Sequence, residues 1–188
     1  MKKSMKILLA MLVLSAFVQK TNAQSDKECV VIMSQNYTCE DPRNSDATWV
    51  LKKGEAIHVY KCDDGYEYSG PYTAASTMIP FSTCHIPGTV RGERYLVINA
   101  THLNLREKPS TSSGIYCYDS EYGGSVAPNK FLVNPSRERG VYGTSYSWKP
   151  YYLPKGTRMP YLGKSGNFYK TTFNGTTFYV SAKYCLLK

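Results

Sequence analysis

The sequence predicts an all-β protein built from two copies of one small β unit. Three observations carry that expectation. Beyond residue 24, no stretch repeats apolar residues at helical spacing, whereas many short β-branched or aromatic runs are broken by Gly, Pro, Asn, Asp or Ser. Asn174-Gly175 and Ser165-Gly166-Asn167 each separate two such runs, and Asn-Gly supplies the positive φ angles of a tight hairpin turn. Finally, Leu51-Lys52-Lys53-Gly54-Glu55-Ala56-Ile57 returns as Leu153-Pro154-Lys155-Gly156-Thr157-Arg158-Met159.

At the start of the chain, residues 1–23 read as a secretory signal peptide. Lys2, Lys3 and Lys6 precede an apolar run from Ile7 to Val18, and Thr21-Asn22-Ala23 forms a small-residue exit. The run is shorter than the roughly 20 residues a membrane-spanning helix needs, and no later segment approaches that length. Cleavage after Ala23 is therefore expected to release a secreted or periplasmic product without a membrane span. Lys2, Lys3, Lys6 and Lys20 leave with the signal, so the formal charge of +9 falls to +5. The remaining bases are interspersed among 14 acids without a basic run, which speaks against a nucleic-acid partner.

The expected strands are Cys29–Met33, Ile57–Lys61, Tyr95–Ile98, Leu103–Arg106, Thr157–Leu162, Phe168–Phe173 and Thr177–Ser181. Continuing the repeat places Ile79 beside Val180 and Cys84 beside Cys185. Upstream, Val30-Val31-Ile32 runs beside Leu96-Val97-Ile98. Pro87-Gly88-Thr89-Val90-Arg91-Gly92 reads as the linker, which divides the chain into units at 24–90 and 91–188. The second copy carries about 35 residues that the first lacks, at about 114–150, and an insertion this long in a compact domain is functional or disordered. Its aromatic content, with Tyr116, Tyr118, Tyr122, Tyr142, Tyr146 and Trp148, argues against disorder.

Leu103-Asn104-Leu105-Arg106-Glu107-Lys108-Pro109-Ser110, preceded by Tyr95–Ile98, resembles the Leu-Asn-Val-Arg-x-x-Pro-Ser opening of bacterial Src-homology-3-like (SH3b) domains. Leu153-Pro154-Lys155-Gly156-Thr157, Gly166-Asn167-Phe168-Tyr169-Lys170, Asn174-Gly175 and Phe178-Tyr179-Val180-Ser181 follow in the order of that family. The resemblance covers 95–113 and 151–188 well and 29–84 weakly, since Asp41-Pro42-Arg43-Asn44 stands where Arg-x-x-Pro-Ser is expected. It implies two small SH3-like barrels in tandem, the second with a long aromatic-rich insertion. It also implies a non-catalytic module that binds a cell-envelope ligand: peptidoglycan or another cell-wall polymer, a surface glycan, or an envelope protein.

Catalytic and metal patterns are absent from the sequence. A Cys-His peptidase would need one of His58, His85 or His102 as base; His58 and His102 fall on expected strands, and His85 follows a cysteine expected in a bridge. Gly143-Thr144-Ser145-Tyr146-Ser147 lacks the final glycine of a serine-nucleophile elbow, and Asp63-Asp64 reads as a polar turn. No Cys-x-x-Cys is present, so neither metal nor other cofactor is expected. Asn36-Tyr37-Thr38, Asn99-Ala100-Thr101 and Asn174-Gly175-Thr176 match the glycosylation sequon and, beside a bacterial resemblance, count as coincidence. The other readings are a secreted enzyme with an unrecognised site and a disulfide-stapled inhibitor or assembly subunit.

Six cysteines in an exported chain read as disulfides, and the linker divides them four and two. The expected pairs are Cys117 with Cys185, Cys29 with Cys84, and Cys39 with Cys62. For ligand binding the expectation falls on the insertion and its flank. A groove lined by Tyr142, Tyr146, Trp148, Tyr151 and Tyr152, rimmed by Arg137, Arg139 and Lys149, would offer flat apolar faces with polar handles. The competing expectation is that these rings fold back as a satellite core between the two units.

Overall fold

The computed structural model describes residues 28–41, 44–69, 76–119, 130–135, 137–139 and 145–188. The expected signal peptide and Tyr142 lie outside these residues. Among the described residues the regular structure is antiparallel strand apart from two single-turn 3-10 helices, at Phe81–Thr83 and Ala182–Tyr184.

The first unit comprises β1 (Glu28–Met33), β2 (Tyr37–Asp41), β3 (Asn44–Leu51), β4 (Ala56–Lys61), β5 (Tyr66–Ser69), β6 (Ser76–Ile79) and β7 (Cys84–His85). A five-stranded sheet runs β6-β5-β4-β1-β7, and β2 pairs β3 separately. Val31, Met33, Leu51, Ile57, Val59, Tyr66, Tyr68 and Ile79 close its core.

The second unit comprises β8 (Tyr95–Ile98), β9 (Ile115–Asp119), β10 (Lys130–Leu132), β11 (Arg137–Arg139), β12 (Ser145–Pro150), β13 (Arg158–Pro160), β14 (Gly163–Ser165), β15 (Phe168–Phe173), β16 (Thr176–Ser181) and β17 (Cys185–Leu187). The repeat-bearing strands form sheets β13-β8-β17 and β14-β15-β16, while the insertion supplies a sheet of its own, β10-β9-β12-β11. Phe173 stacks on Phe178 at 4.4 Å in the core, and Tyr116 and Phe131 of the insertion reach the same cluster.

The two units share a hydrogen-bond frame. Gly54 N–H donates to Met33 C=O and Gly156 N–H to Ile98 C=O, each at 2.8 Å. Met33 N–H meets Glu55 C=O as Ile98 N–H meets Thr157 C=O, and Ser34 N–H meets Thr83 C=O as Asn99 N–H meets Tyr184 C=O. Cys84 pairs Met33 as Cys185 pairs Ile98. Both turn glycines have positive φ, +83° and +91°, where a Cβ would be strained.

This frame corrects the upstream part of the repeat by one residue: Val31 and Met33 correspond to Leu96 and Ile98. In a strand, a one-residue slip exchanges the two faces, and the burial pattern fixes the choice. Val31, Met33, Leu96 and Ile98 are the inward residues of their own units.

The opposite face of β1 explains why the run from Val30 to Met33 is apolar throughout. Val30, packed against by Ile32, belongs with Ala56 to the second unit's core cluster, so β1 is buried on both sides. The Asn174-Gly175 turn docks here: Asn174 N–H donates to Ala56 C=O, and its side-chain Oδ1 accepts from His58 N–H, both at 2.8 Å. Asn174 adopts φ 48° and Gly175 φ 70°, the positive pair such a turn requires.

Leu103–Arg106, expected as a strand, makes only isolated bridges, from Arg106 to Ile115 and to Tyr179. Leu103 and Leu105 nevertheless point into the core at alternating positions. Pro109 and the Ser110–Ser113 turn end the segment before a ladder can grow.

Candidate ligand-binding site

The insertion is stitched to the second unit where the resemblance is densest. Tyr116 N–H donates to Leu105 C=O at 2.8 Å, and Tyr151 N–H to Tyr116 C=O at 2.9 Å. β9 pairs β10 on one side (Lys130↔Cys117, Phe131↔Tyr116) and β12 on the other (Trp148↔Asp119, Lys149↔Tyr118), and β11 pairs β12 at the far edge. Strand alternation then sorts the sheet. Tyr116, Tyr118, Phe131 and Lys149 share one face, and Cys117, Lys130 and Trp148 share the other.

The expected binding residues are scattered by this geometry. Trp148, expected on a solvent-facing groove, is only 7% exposed, and the Lys130 ammonium sits 4.2 Å from its ring centroid. Trp148 lies on the same face of the sheet as the buried Cys117. Arg137, Arg139 and Tyr146 lie on β11 and β12 and are in register with Ser147, Ser145 and Glu138 respectively.

Tyr151 turns toward the first unit. Its hydroxyl forms a hydrogen bond with the His58 ring, 3.1 Å from Nδ1, and its ring lies edge-on to His58, Tyr116 and Tyr118. Burial lowers the His58 imidazole to a pKa of about 4 and pushes the Tyr151 phenol far above its usual range. The Glu28 carboxylate lies 3.9 Å from His58 Nε2. Burial raises its pKa, against the opposing effect of a hydrogen bond from Tyr60. At neutral pH this joint brings an uncharged imidazole and a phenol together beside the Glu28 carboxyl group, with Phe173 packed against the imidazole.

Tyr152 and Lys149 remain at the surface. Tyr152 is 36% exposed and meets the exposed His102 edge-to-face at 4.9 Å. His102, expected on a strand, sits instead in a bend between β8 and the buried Leu103. Its spacing from Tyr152 gives no signal in the sequence, because the pair forms only when the segments that carry the two rings come together. Asp63-Asp64 occupies the exposed β4–β5 turn, as expected.

The expected disulfides are not formed: all six cysteines are free. Cys84 pairs Met33, four residues from Cys29, or roughly 13 Å along the strand. Cys39 faces Trp49 within the β2–β3 pair, whereas Cys62 lies past the end of β4. Cys117 and Cys185 belong to different sheets. Burial raises the thiols of Cys29, Cys39 and Cys84 to about 11 and that of Cys185 to about 12.

Among the described residues no group of three or more His, Cys, Asp or Glu could hold a metal ion, and no helix is long and apolar enough to cross a membrane. Compared with protein-family models and with curated proteins, the chain matches none.

Proposed function

We propose that this chain is an exported, non-catalytic binding protein made of two SH3-like β units, and that the second unit recognises a cell-envelope ligand. The observation that carries the reading is the contrast between the copies. Both share one hydrogen-bond frame, but only the second bears the β10-β9-β12-β11 sheet, at whose root an exposed Tyr152–His102 ring pair stands. A frame held in common is scaffold; what is added to one copy is where a difference in function resides. The recognising surface is centred on Tyr152 and His102, both exposed. Such rings stack on sugar rings or grip peptide backbones.

The test is retention of the purified mature protein on purified peptidoglycan, on surface glycan and on envelope protein, each beside a ligand-free matrix. Retention on at least one above the matrix background is expected. Background retention on all three would overturn the reading.

A further inference from the structure

We propose that a second surface, on the second unit but outside the insertion, binds an acidic polysaccharide bearing carboxylates. Residues 151–188 contain no Asp or Glu but six bases, Lys155, Arg158, Lys164, Lys170, Lys183 and Lys188. The fold arranges some of them, with Arg94, among tyrosines. The Arg158 guanidinium lies 5.2 Å from the Tyr95 ring centroid, and the adjacent Arg94 lies 4.5 Å from that of Tyr161. Tyr161 meets Tyr169 edge-on at 5.8 Å, and Tyr169 sits directly opposite Lys164 in the β14–β15 pair. Two groups result, Arg158 with Tyr95 and Arg94 with Tyr161, Tyr169 and Lys164, adjoining through the consecutive residues Arg94 and Tyr95.

Its charge is left for a partner. Among the described residues none of Arg94, Arg158 or Lys164 makes an ion pair. The neighbouring carboxylate, Glu93, is already engaged: Oε2 accepts the Gly88 N–H at 2.6 Å, and Oε1 lies 3.3 Å from His85 Nε2. Like charges set close together repel, so bases whose one neighbouring acid is already engaged gain most from a polyanion that spans them. Guanidinium forks match carboxylates bidentately. The ring faces that carry guanidinium groups are closed to base stacking, which disfavours single-stranded nucleic acid. The phenol edges and hydroxyls remain for sugar hydroxyls.

The test is affinity electrophoresis and titration with polygalacturonate, neutral dextran of similar length and single-stranded DNA. Expected are retardation by polygalacturonate that weakens steeply with salt, none by dextran, and weaker binding of DNA. The triple variant Arg94→Gln, Arg158→Gln, Lys164→Gln should lose at least tenfold in affinity. A variant with equal charge removed elsewhere, Lys52→Gln, Lys53→Gln, Lys108→Gln, should stay within about twofold. Arg94 and Lys164 are exposed, so the double variant lacking only those charges keeps its melting temperature and carries the test should the Arg158 change unsettle β13. Tyr152→Ala leaves polygalacturonate binding unchanged, which separates this surface from the Tyr152–His102 pair. Equal losses in the two triple variants, tighter binding of DNA, or no retardation by polygalacturonate would each overturn the proposal.

Discussion

Lowering the pH should weaken the joint between the two β units, because His58 must take up a proton inside it. Its folded pKa of about 4 lies below the free value of 6.5, the cause being burial. The unfolded chain then binds the proton more readily throughout that window. Stability is therefore full above pH 6.5 and lost as the pH falls through 4, by about 3 kcal/mol in all and about 2 kcal/mol by pH 5. The His58 side chain is 9% exposed, so solvent screening takes little from this figure. Glu28 acts in the opposite sense: its folded pKa is raised, so its contribution grows as the pH falls and it takes up a proton. Urea unfolding of the wild type and His58→Gln between pH 4 and 8 separates the two. The wild type should lose stability relative to the variant by about 2 kcal/mol between pH 7 and 5. Parallel curves would refute the reasoning, since they would mean that His58 titrates alike folded and unfolded.

Trp148→Ala should cost about 3 kcal/mol or more of stability, as truncation of a buried aromatic does, and is read from the melting temperature; an unchanged value would mean that the ring packs against little. Gly54→Ala and Gly156→Ala should each cost about 1 kcal/mol or more by chemical denaturation, because both need positive φ while neither Cβ would clash. Gly88→Ala should cost more than either, since its Cβ would lie 2.2 Å from the Tyr95 ring, and a smaller loss would mean that the linker shifts freely. Alkylation followed by mass spectrometry should label six thiols in the unfolded, unreduced protein, with half-exposed Cys62 ahead of buried Cys185 under native conditions; fewer than six labels would show that bridges form.

The sequence made the all-β class legible because turn chemistry and period-two runs are local signals, and β1, β4, β8, β15 and β16 lie within a residue of the expected strands. The Gly54 and Gly156 turns were legible for the same reason. What escaped was long-range. β9 to β12 have little apolar alternation of their own and exist because Tyr116 and Phe131 reach a core assembled by distant strands. The upstream register of the repeat slipped because β1 is apolar on both faces, so hydropathy alone could not say which face was inward. Tyr151 and Trp148 looked like binding rings because sequence shows a residue's chemistry and not its exposure. Tyr151 pairs with a histidine 93 positions away, and Trp148 lies under a lysine.

The most direct test of the central claim compares the wild type with the Tyr152→Ala, His102→Ala double variant for retention on the envelope fraction that holds the wild type. Both side chains are exposed, so the variant should keep the wild-type melting temperature. Loss of a stacking pair at the centre of a binding surface costs about 2 kcal/mol or more, which is roughly thirtyfold in affinity. A folded variant retained more than tenfold more weakly is the result the account predicts. A folded variant retained as well as the wild type would contradict it.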